Sequence, residues 1–471
     1  MNQTITLSNA IKNFKSESNK DVFAYGDYFT QSGYMLASQA DSIFIHPLGS
    51  LNLTGYRVIL SHFKEALDKW DIKMAIYKAG KYKGYTEAFT NSEPSPENKE
   101  QYMELIEGMH GLLIDFLSTN KGRDASFWEK VIANDLGARA QSSLNEKLVD
   151  AILHEADYKE RIRSKYNFKK SDFLPLSQYR TEVTSKSKKA NVAYVVMEGP
   201  VVYQGEGISS ENLKKEFKHI RESGEYEAVV IRMNSGGGSA FASEEIWNEI
   251  EKTKAKGIPV IASVGNVAAS GGYYIIMNSD KIFAQKNSIL GSIGVFMLFP
   301  QLDETMKKHV GINYTKYSTS PYNPSPELFV PLTPEMEVKY QNETDFIYKT
   351  FVEKVASGRD LPLEKAYEIA EGRVYIGSKA KELGLVDEYK SLLDIKNYLK
   401  ETYDLDQVVM EEFPKQTDVS PINQLSNIKQ QVIKQQQIPK VVSSSINEAS
   451  MMIENSLKFE PRMELLGFSI N

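Results

Sequence analysis

The chain has 471 residues, of which 41% are hydrophobic and 25% are charged, as expected for a globular protein of two or three domains. Its net charge of −6 and its intermixed acids and lysines give no reason to expect a nucleic-acid partner. The absence of cysteine excludes disulfides, thiolate-bound zinc and a cysteine nucleophile, and no apolar run approaches the roughly 20 residues that a membrane helix needs.

In chain order, the first predicted element is a helix. A strand follows it and begins the stretch 22–55. Residues 171–191 are polar and punctuated, which predicts a linker. Strands and helices then alternate: strand 193–197, helix 209–223, strand 228–233, a glycine turn at 234–239, helix 240–255, strand 258–264, a serine-containing turn and an apolar helix. The Gln- and Lys-rich stretch 428–437 is predicted to be a polar helix or an extended arm. The alternation predicts an α/β fold with parallel sheets.

Two stretches of the chain match each other without a gap. When residues 22–55 are set against 261–294, Gly26 faces Gly265. The same register pairs Gly33 with Gly272, Tyr34 with Tyr273, Asp41 with Asp280, Ile43 with Ile282, Phe44 with Phe283, Leu51 with Leu290 and Gly55 with Gly294. Self-similarity over so long a period indicates a duplicated domain rather than a solenoid.

The duplication predicts four segments. They are a first repeat at 1–170, a linker at 171–191, a second repeat at 192–400 and a C-terminal extension at 401–471. Relative to the second copy, the first lacks about two strands and a helix at its start, so we expect the first repeat to be incomplete at its N-terminus.

The stretch N-V-A-A-S-G-G-Y-Y places a single hydroxyl, Ser270, between two alanines and two glycines. It lies where a predicted strand turns into a predicted apolar helix. Gln31 stands at the matching place in the first copy, so only the second copy offers a nucleophile there. Small residues at such a junction are also typical of close packing alone.

A nucleophilic serine needs donors for the oxyanion that it creates. The amide of Gly271 would point outward at the start of the helix, unpaired within it. The neighbouring N-S-G-G-G-S turn could supply a second amide, from Gly237 or Gly238. In an open parallel sheet both turns fall at the carboxyl ends of strands, where sites form. Ser235 and Ser239 are predicted to be turn and cap residues.

A serine hydroxyl also needs a general base, and neither motif contains a histidine. A lysine can take this role when burial keeps it neutral. The glycine-flanked, aromatic stretch A-G-K-Y-K-G-Y-T-E-A-F at 79–89 offers two candidates, Lys81 and Lys83. Most lysines in such a lysine-rich chain are surface charges.

At these residues the chain resembles the long form of bacterial signal peptide peptidase A, also called protease IV, in the Clp protease/crotonase superfamily. A nucleophile motif like M-A-A-S-G-G-Y is matched around Ser270, and a base motif like G-T-Y-K-S-A-x-E-P-F is matched by G-K-Y-K-G-Y-T-E-A-F. The second match implies Lys83 as the base and leaves Lys81 as a neighbour. The family's S-P-G-G oxyanion turn corresponds to S-G-G-G at 235–238, which contains Gly237 and Gly238.

The family's T-G-S-I-G turn corresponds to L-G-S-I-G at 290–294, where Ser292 is implied to hydrogen-bond the lysine, or is only a turn residue. Two substitutions depart from the family pattern, Gly236 for proline and Gly84 for serine. The resemblance runs from about residue 20 to residue 400. It implies tandem Clp protease/crotonase-like domains and a Ser–Lys dyad that acts through an acyl-enzyme without metal or cofactor.

The resemblance also implies where the protein works and with what. Its substrates would be cleaved signal peptides or other apolar, extended peptides, bound in a groove of small and aromatic residues as an added strand. It implies a homo-oligomer, a tetramer, at the extracytoplasmic face of the bacterial inner membrane. The family usually begins with a membrane anchor, and the sequence as written has neither this segment nor a signal peptide, so we expect a soluble chain.

Two other functions fit parts of the sequence. A crotonase-type acyl-CoA enzyme would share the fold and the two-amide oxyanion hole, but paired carboxylates near the two turns are missing and Lys83 would have no role. A non-catalytic scaffold would fit if the first repeat were impaired. Binding of acyl-CoA would single out the former, and intact assembly without serine reactivity would single out the latter.

Overall fold

A computed structural model describes residues 1–169, 173–174, 189–322, 328–414 and 462–464. The strands within these ranges, in chain order, are β1 (Phe23–Phe29), β2 (Ser42–Leu51), β3 (Lys73–Ala79), β4 (Ala151–Ile152), β5 (Val192–Glu198), β6 (Val201–Val202), β7 (Ile208–Ser209), β8 (Ala228–Ser235), β9 (Gly237–Ser239), β10 (Val260–Ala269), β11 (Lys281–Ala284), β12 (Ile289–Gly291), β13 (Val295–Gln301), β14 (Val374–Ile376), β15 (Glu388–Tyr389), β16 (Met410–Phe413) and β17 (Arg462–Glu464).

The helices of the described ranges are cited by their bounds. The α-helices are Asn2–Ser18, Gln31–Ala37, Lys64–Lys69, Glu87–Thr90, Pro96–Lys121, Ala125–Ala133, Ala140–Asn145, Glu155–Tyr166, Ser210–Ser223, Ala240–Ala255, Gly271–Ile276, Asp303–Thr305, Pro334–Gly358, Leu363–Ile369, Gly377–Glu382 and Leu392–Tyr403. A 3-10 turn at Gly84–Thr86 and a π-helical turn at Met306–Val310 complete the set. Among these helices, none combines the length and the apolar character that a bilayer crossing requires.

Helix Ser210–Ser223 illustrates how local sequence sets these bounds. Ser209 Oγ accepts the N–H of Asn212 at its start, and Gly224 ends it in the left-handed conformation at φ 66°. Buried side chains recur every three or four positions, at Leu213, Phe217 and Ile220. This spacing gives the helix one apolar face, which packs on the sheet.

The described residues fall into two compact units. The first comprises Met1–Val58 and Glu104–Lys189, and the second comprises Ile59–Met103 and Ala190–Phe468. Compactness therefore groups residues 59–103 with the second unit, whereas the domain boundaries given by the sequence repeat stay a prediction.

The first unit contains a parallel three-stranded sheet in the order β1-β2-β4. Its core surrounds Tyr34 and Trp128, both fully buried. Tyr34 donates its hydroxyl proton to the carbonyl of Leu148 at 2.9 Å. This hydrogen bond ties the helix after β1 to the segment before β4.

The second unit repeats these interactions at the matching residues. Tyr273 donates to the carbonyl of Leu385 at 3.0 Å, as Tyr34 does to Leu148. Carboxylates accept backbone amides in a similar way in both copies: Asp41 from Val22, Asp280 from Val260, Asp150 from Ile43 and Asp387 from Ile282. Val260 lies one residue before the position that matches Val22. The predicted duplication therefore extends to individual hydrogen bonds.

Two sheets form the frame of the second unit. The larger has the order β14-β12-β10-β8-β5-β16, with β11 and β15 added beside β10, and it is parallel except for the antiparallel β12–β14 pair. The smaller has the order β3-β13-β17-β9-β6-β7. The predicted α/β class with parallel sheets is confirmed.

The elements predicted for the second copy are present, with small shifts of their ends. Helix Ala240–Ala255 has its predicted bounds, whereas the strand predicted at 258–264 runs from Val260 to Ala269, and the apolar helix after it stops at Ile276. The stretch 428–437 and most of the predicted linker lie outside the described residues.

Candidate active site

Ser270 lies at the end of β10 in a backbone conformation that only glycine adopts easily. Its φ and ψ are 55° and −122°, and such a position costs a non-glycine residue about 1–3 kcal/mol. Neighbouring backbone holds it: the Ser270 amide donates to the Gly291 carbonyl at 2.8 Å, and the Tyr274 amide donates to the Ser270 carbonyl at 2.9 Å. The side chain is fully buried.

The two glycines after Ser270 lie too close to neighbouring atoms to carry a side chain. A Cβ atom on Gly271 would lie 2.6 Å from Ser243 Oγ and 3.2 Å from the Gly238 amide nitrogen. A Cβ on Gly272 would lie 2.8 Å from the Ser235 carbonyl oxygen. The helix that follows Ser270 can therefore approach the N-S-G-G-G-S turn closely only because these residues have no side chain.

Lys83 is the side chain that meets Ser270. Its Nζ lies 2.7 Å from Ser270 Oγ, 3.0 Å from Ser292 Oγ and 3.2 Å from the Ser292 carbonyl oxygen. These three partners are uncharged oxygens. Lys83 is 1% exposed, whereas Lys81, the other lysine of the stretch, is exposed. Of the two candidate lysines, Lys83 is thus the one that contacts Ser270.

The pairing of β3 with β13 explains how Lys83 reaches this place. The two strands are antiparallel along their full length, with Ala79 opposite Val295. The chain enters β13 directly from the L-G-S-I-G turn, and it leaves β3 directly toward Lys83. The antiparallel pair therefore brings Lys83 to the turn that contains Ser292.

Ser292 is more than a turn residue. Its φ of 53° is again in the left-handed region, and its amide donates to the Arg373 carbonyl at 2.7 Å. This conformation directs both its hydroxyl and its carbonyl oxygen to Lys83 Nζ.

The glycine turn after β8 contains the other predicted amides. Gly238 has a φ of 156°, and a Cβ there would lie 2.1 Å from the Val201 carbonyl oxygen. The Gly237 amide donates to Ser235 Oγ at 3.1 Å, and Ser235 Oγ donates in turn to the Gly199 carbonyl at 2.7 Å. Ser235 therefore closes the turn. Its companion Ser239 caps helix Ala240–Ala255 by accepting the Ala242 amide, as predicted.

The match to a known protein family falls on the same two copies of the repeat. The model for peptidase family S49 matches residues 14–169 and 252–406. The chain belongs to peptidase family S49. The two matched segments confirm that the S49 domain occurs twice in tandem, as the internal repeat predicted.

Individual relatives are similar over different parts of the chain. Protease 4 of Haemophilus influenzae is 31% identical over 408 residues, which are 83% of this chain and 66% of that protein. A putative signal peptide peptidase SppA of Enterococcus faecium is 32% identical over 219 residues, 46% of this chain and 62% of that protein. A solved ClpP1 mutant from Listeria monocytogenes aligns with 43% of this chain and 92% of its own at 16% identity and a TM-score of 0.30.

The aligned part of this chain thus spans about two thirds of the length of the Haemophilus relative. Within the described ranges, clusters of three or more His, Asp and Glu side chains that could hold a metal ion do not occur.

A short strand lies beside the glycine turn. β17 pairs antiparallel with β9, with Met463 opposite Gly238, and it also pairs antiparallel with β13 at Phe296. It comes within 8 Å, measured between Cα atoms, of the helix that follows Ser270. An extended backbone therefore fits between β9 and β13 in the immediate surroundings of this serine.

Sequence reasoning missed the residues that surround Lys83. Residues 371–374 contact the loop of Lys83 and the Ser292 turn, and Glu87, Asn98 and Gln101 form a buried polar chain behind it. Glu87 stands in the quoted base motif, but its partners lie on another helix. The glycine of E-G-R-V at 371–374 was the one available signal, since an isolated glycine before a strand often marks close backbone approach.

Proposed function

We propose that this chain is a serine endopeptidase in which Ser270 is the nucleophile and Lys83 the general base. The observation that carries the proposal is the buried 2.7 Å contact between Lys83 Nζ and Ser270 Oγ. Burial disfavours the ammonium form of a lysine, and a neutral amine can accept a proton from the serine hydroxyl. In this role Ser292 orients the amine through its two oxygens.

The reaction then proceeds in two halves. Ser270 Oγ attacks the peptide carbonyl carbon while its proton passes to Lys83 Nζ, and the resulting tetrahedral adduct loses the amine product, which takes that proton from Nζ. An acyl ester on Ser270 remains. Water attacks the ester carbonyl carbon while one of its protons passes to Lys83 Nζ. The second tetrahedral adduct then breaks its bond to Ser270 Oγ, which takes the proton from Nζ as the carboxylic acid product leaves.

The oxyanion of each adduct requires two donors, and we assign this role to the amides of Gly238 and Gly271. Both residues lie beside Ser270. They can lie this close to each other because neither has a side chain. The Gly237 amide, a third candidate, donates to Ser235 Oγ, which favours Gly238 over it. Fixed amides of this kind typically contribute about 3 kcal/mol to transition-state stabilisation.

The substrate is an extended, apolar peptide that adds a strand to β9. The pairing of β17 with β9 and β13 supports this mode, because the backbone groups of both strands accept such a partner. Two exposed aromatic residues lie close to β9 in the chain or in the sheet: Tyr203 directly follows β6, which pairs with β9, and Phe241 comes two residues after β9. The name of the Enterococcus relative suggests cleaved signal peptides as the natural substrates. From the family resemblance we further propose that a homo-oligomer, a tetramer, degrades them at the bacterial envelope.

The test is labelling with a serine-reactive fluorophosphonate, mapped by mass spectrometry, in parallel with cleavage of a fluorogenic apolar peptide. We expect label on Ser270 in the parent chain and none in Ser270→Ala. Lys83→Met should lose the label as well, because the hydroxyl then has no base. Circular dichroism and size-exclusion chromatography establish that each variant is folded and assembled.

Two results would contradict the proposal. Label that survives in a folded Lys83→Met variant would mean that another base activates the serine. A folded parent chain with neither label nor peptide cleavage would argue for a scaffold, or for an acyl-CoA enzyme if it binds acyl-CoA.

A further inference from the structure

Residues 371–374 contact the loop of Lys83 on one side. The carbonyl of Glu371 accepts the Tyr82 amide at 2.8 Å, and its carboxylate accepts the Lys81 amide at 3.2 Å. Glu371 itself has a φ of 55°, a strained conformation for a residue with a side chain. The backbone just before Lys83 is thus hydrogen-bonded to one residue far along the chain.

The same four residues hold the Ser292 turn on their other side. The Gly372 amide donates to the Ile293 carbonyl at 2.8 Å, and the Arg373 carbonyl accepts the Ser292 amide at 2.7 Å. Both contacts are short and made by backbone groups. Residues 371–374 therefore connect the turn of Ser292 to the loop of Lys83.

Gly372 permits this contact because it has no side chain. Its φ is 73°, and a Cβ there would lie 2.9 Å from the Lys83 amide nitrogen, 3.0 Å from Lys83 Cβ and 3.1 Å from Lys83 Cα. Gly80 faces it, with a φ of 107°, and a Cβ there would lie 2.6 Å from the carbonyl carbon of Glu371. The two backbones lie against each other at the lysine itself.

Side chains reinforce this contact from behind. Arg373 donates to the Tyr82 hydroxyl at 2.9 Å, stacks over the Tyr82 ring at 4.5 Å, and forms an ion pair with Glu100 at 2.9 Å. Gln101 accepts the amide of Val374 through Oε1 at 2.8 Å.

Gln101 also begins a buried polar chain that reaches the residues after Lys83. Its Nε2 donates to Asn98 Oδ1 at 3.1 Å, and Asn98 Nδ2 donates to Glu87 Oε1 at 2.7 Å. All three side chains are at most 5% exposed. Gly84 packs on this chain, since a Cβ there would lie 2.6 Å from Asn98 Oδ1.

We propose that residues 371–374, supported by Gln101, are a positioning clamp that sets Lys83 Nζ within proton-transfer distance of Ser270. A lysine side chain has four flexible bonds, so its Nζ is placed only if its backbone is placed. The clamp fixes that backbone from both sides, and displacements of about 1 Å at such a base cost on the order of 100-fold in rate. The proposal rests on the proposed peptidase function for its kinetic consequence, but the geometry can be tested independently of activity.

The direct test is Gly372→Ala, which drives a methyl group into the Lys83 backbone. We expect kcat and the rate of fluorophosphonate labelling to fall by about 100-fold while KM changes less than about threefold. A crystal structure of the variant should show an Nζ–Oγ distance above 3.5 Å. The matched control is Gly257→Ala, because Gly257 has a similar φ of 79° but nothing within 4 Å of an added Cβ. The control should match the parent in kcat and labelling.

A second pair of variants covers the case in which Gly372→Ala does not fold. Gln101→Met keeps the volume and removes both hydrogen bonds, and we expect about a tenfold loss of kcat at unchanged KM. Gln101→Glu keeps the acceptor for the Val374 amide and should recover part of that loss. A residue with a purely structural role would lower the melting temperature in both variants without this recovery in kcat.

Each outcome decides one of the two proposals. A folded Gly372→Ala variant with parental labelling and an unchanged Nζ–Oγ distance would overturn the clamp, and so would parental kcat in Gln101→Met. A parent chain without label would overturn the peptidase function. In that case a lengthened Nζ–Oγ distance in Gly372→Ala would still support the clamp, and an unchanged distance would reject it.

Discussion

Ser292 offers two oxygens to Lys83, its hydroxyl at 3.0 Å and its carbonyl at 3.2 Å from Nζ. Together with Ser270 Oγ at 2.7 Å, they surround the amine with neutral acceptors. A neutral amine has only two N–H bonds to donate and one lone pair. In the neutral form that we propose, donation to both oxygens of Ser292 would leave the lone pair for the proton of Ser270.

The first prediction removes one of these contacts. Ser292→Ala deletes a hydrogen bond worth about 0.5–1.5 kcal/mol and keeps the carbonyl contact, so we expect kcat to fall about 3- to 10-fold with little change in KM. Peptide hydrolysis under steady-state conditions measures both. Ser288→Ala is the control, because Ser288 is equally buried but donates to the Gly265 carbonyl. Equal activity in parent and Ser292→Ala would show that this hydroxyl does not orient the lysine.

The second prediction concerns the glycine after Lys83, where the family pattern has serine. In this chain the Asn98 side chain occupies the space, so Gly84→Ser should be overpacked and lose about 1–3 kcal/mol of stability. Asn98→Ala should also destabilise, because it breaks the bonds to Glu87 and Gln101. The double variant should lose less free energy of unfolding than the sum of the two single losses, by at least about 1 kcal/mol, because the serine then has room. Strict additivity in denaturant unfolding would contradict the packing argument.

The third prediction concerns the strand beside the glycine turn. Met463→Pro removes an N–H and restricts φ, so β17 should no longer pair with β9 and β13. If a substrate peptide uses the same edge, KM should fall in this variant, because an internal competitor is lost. Met463→Ala keeps the backbone donor and should behave like the parent. An unchanged KM in Met463→Pro would mean that substrate does not occupy this edge.

The fourth prediction is a pH dependence of stability. Burial raises the pKa of Glu249, but hydrogen bonds from Lys252 and Arg221 outweigh it, so its pKa lies below the ordinary value of 4.5. A group with a depressed folded-state pKa contributes stability above its unfolded pKa and loses it as the pH falls through the folded value. Glu249→Gln should therefore lower the melting temperature at pH 7 but much less near pH 3. An equal loss at both pH values would show that packing, not charge, is responsible.

Much of the second copy could be predicted from sequence because its signals are local. Buried positions recur at helical spacing in Ala240–Ala255 and form near-continuous apolar runs in β8 and β10. The internal repeat extended this prediction to the first copy, and Tyr34 there makes the same hydrogen bond as Tyr273 in the second copy. Resemblance, rather than periodicity, selected Lys83 over Lys81.

The rest of the candidate site depends on contacts between distant parts of the chain. Periodicity does not reveal that β3 pairs with β13, and this pairing is what brings Lys83 to Ser292. Residues 371–374 act largely through backbone groups, which leave little trace in residue types. The hydrogen bond from the Gly237 amide to Ser235 Oγ depends on one rotamer of Ser235, which no sequence pattern specifies.

Residues 59–103 belong to the second compact unit although they precede most of it in the chain. During synthesis Lys83 leaves the ribosome long before Ser270 and residues 371–374 exist. Until they do, the lysine stays hydrated and protonated, as an exposed lysine is at cellular pH. The contact between Lys83 and Ser270 therefore cannot form until both segments have been made, and under the proposed mechanism a shorter nascent chain has no activated serine.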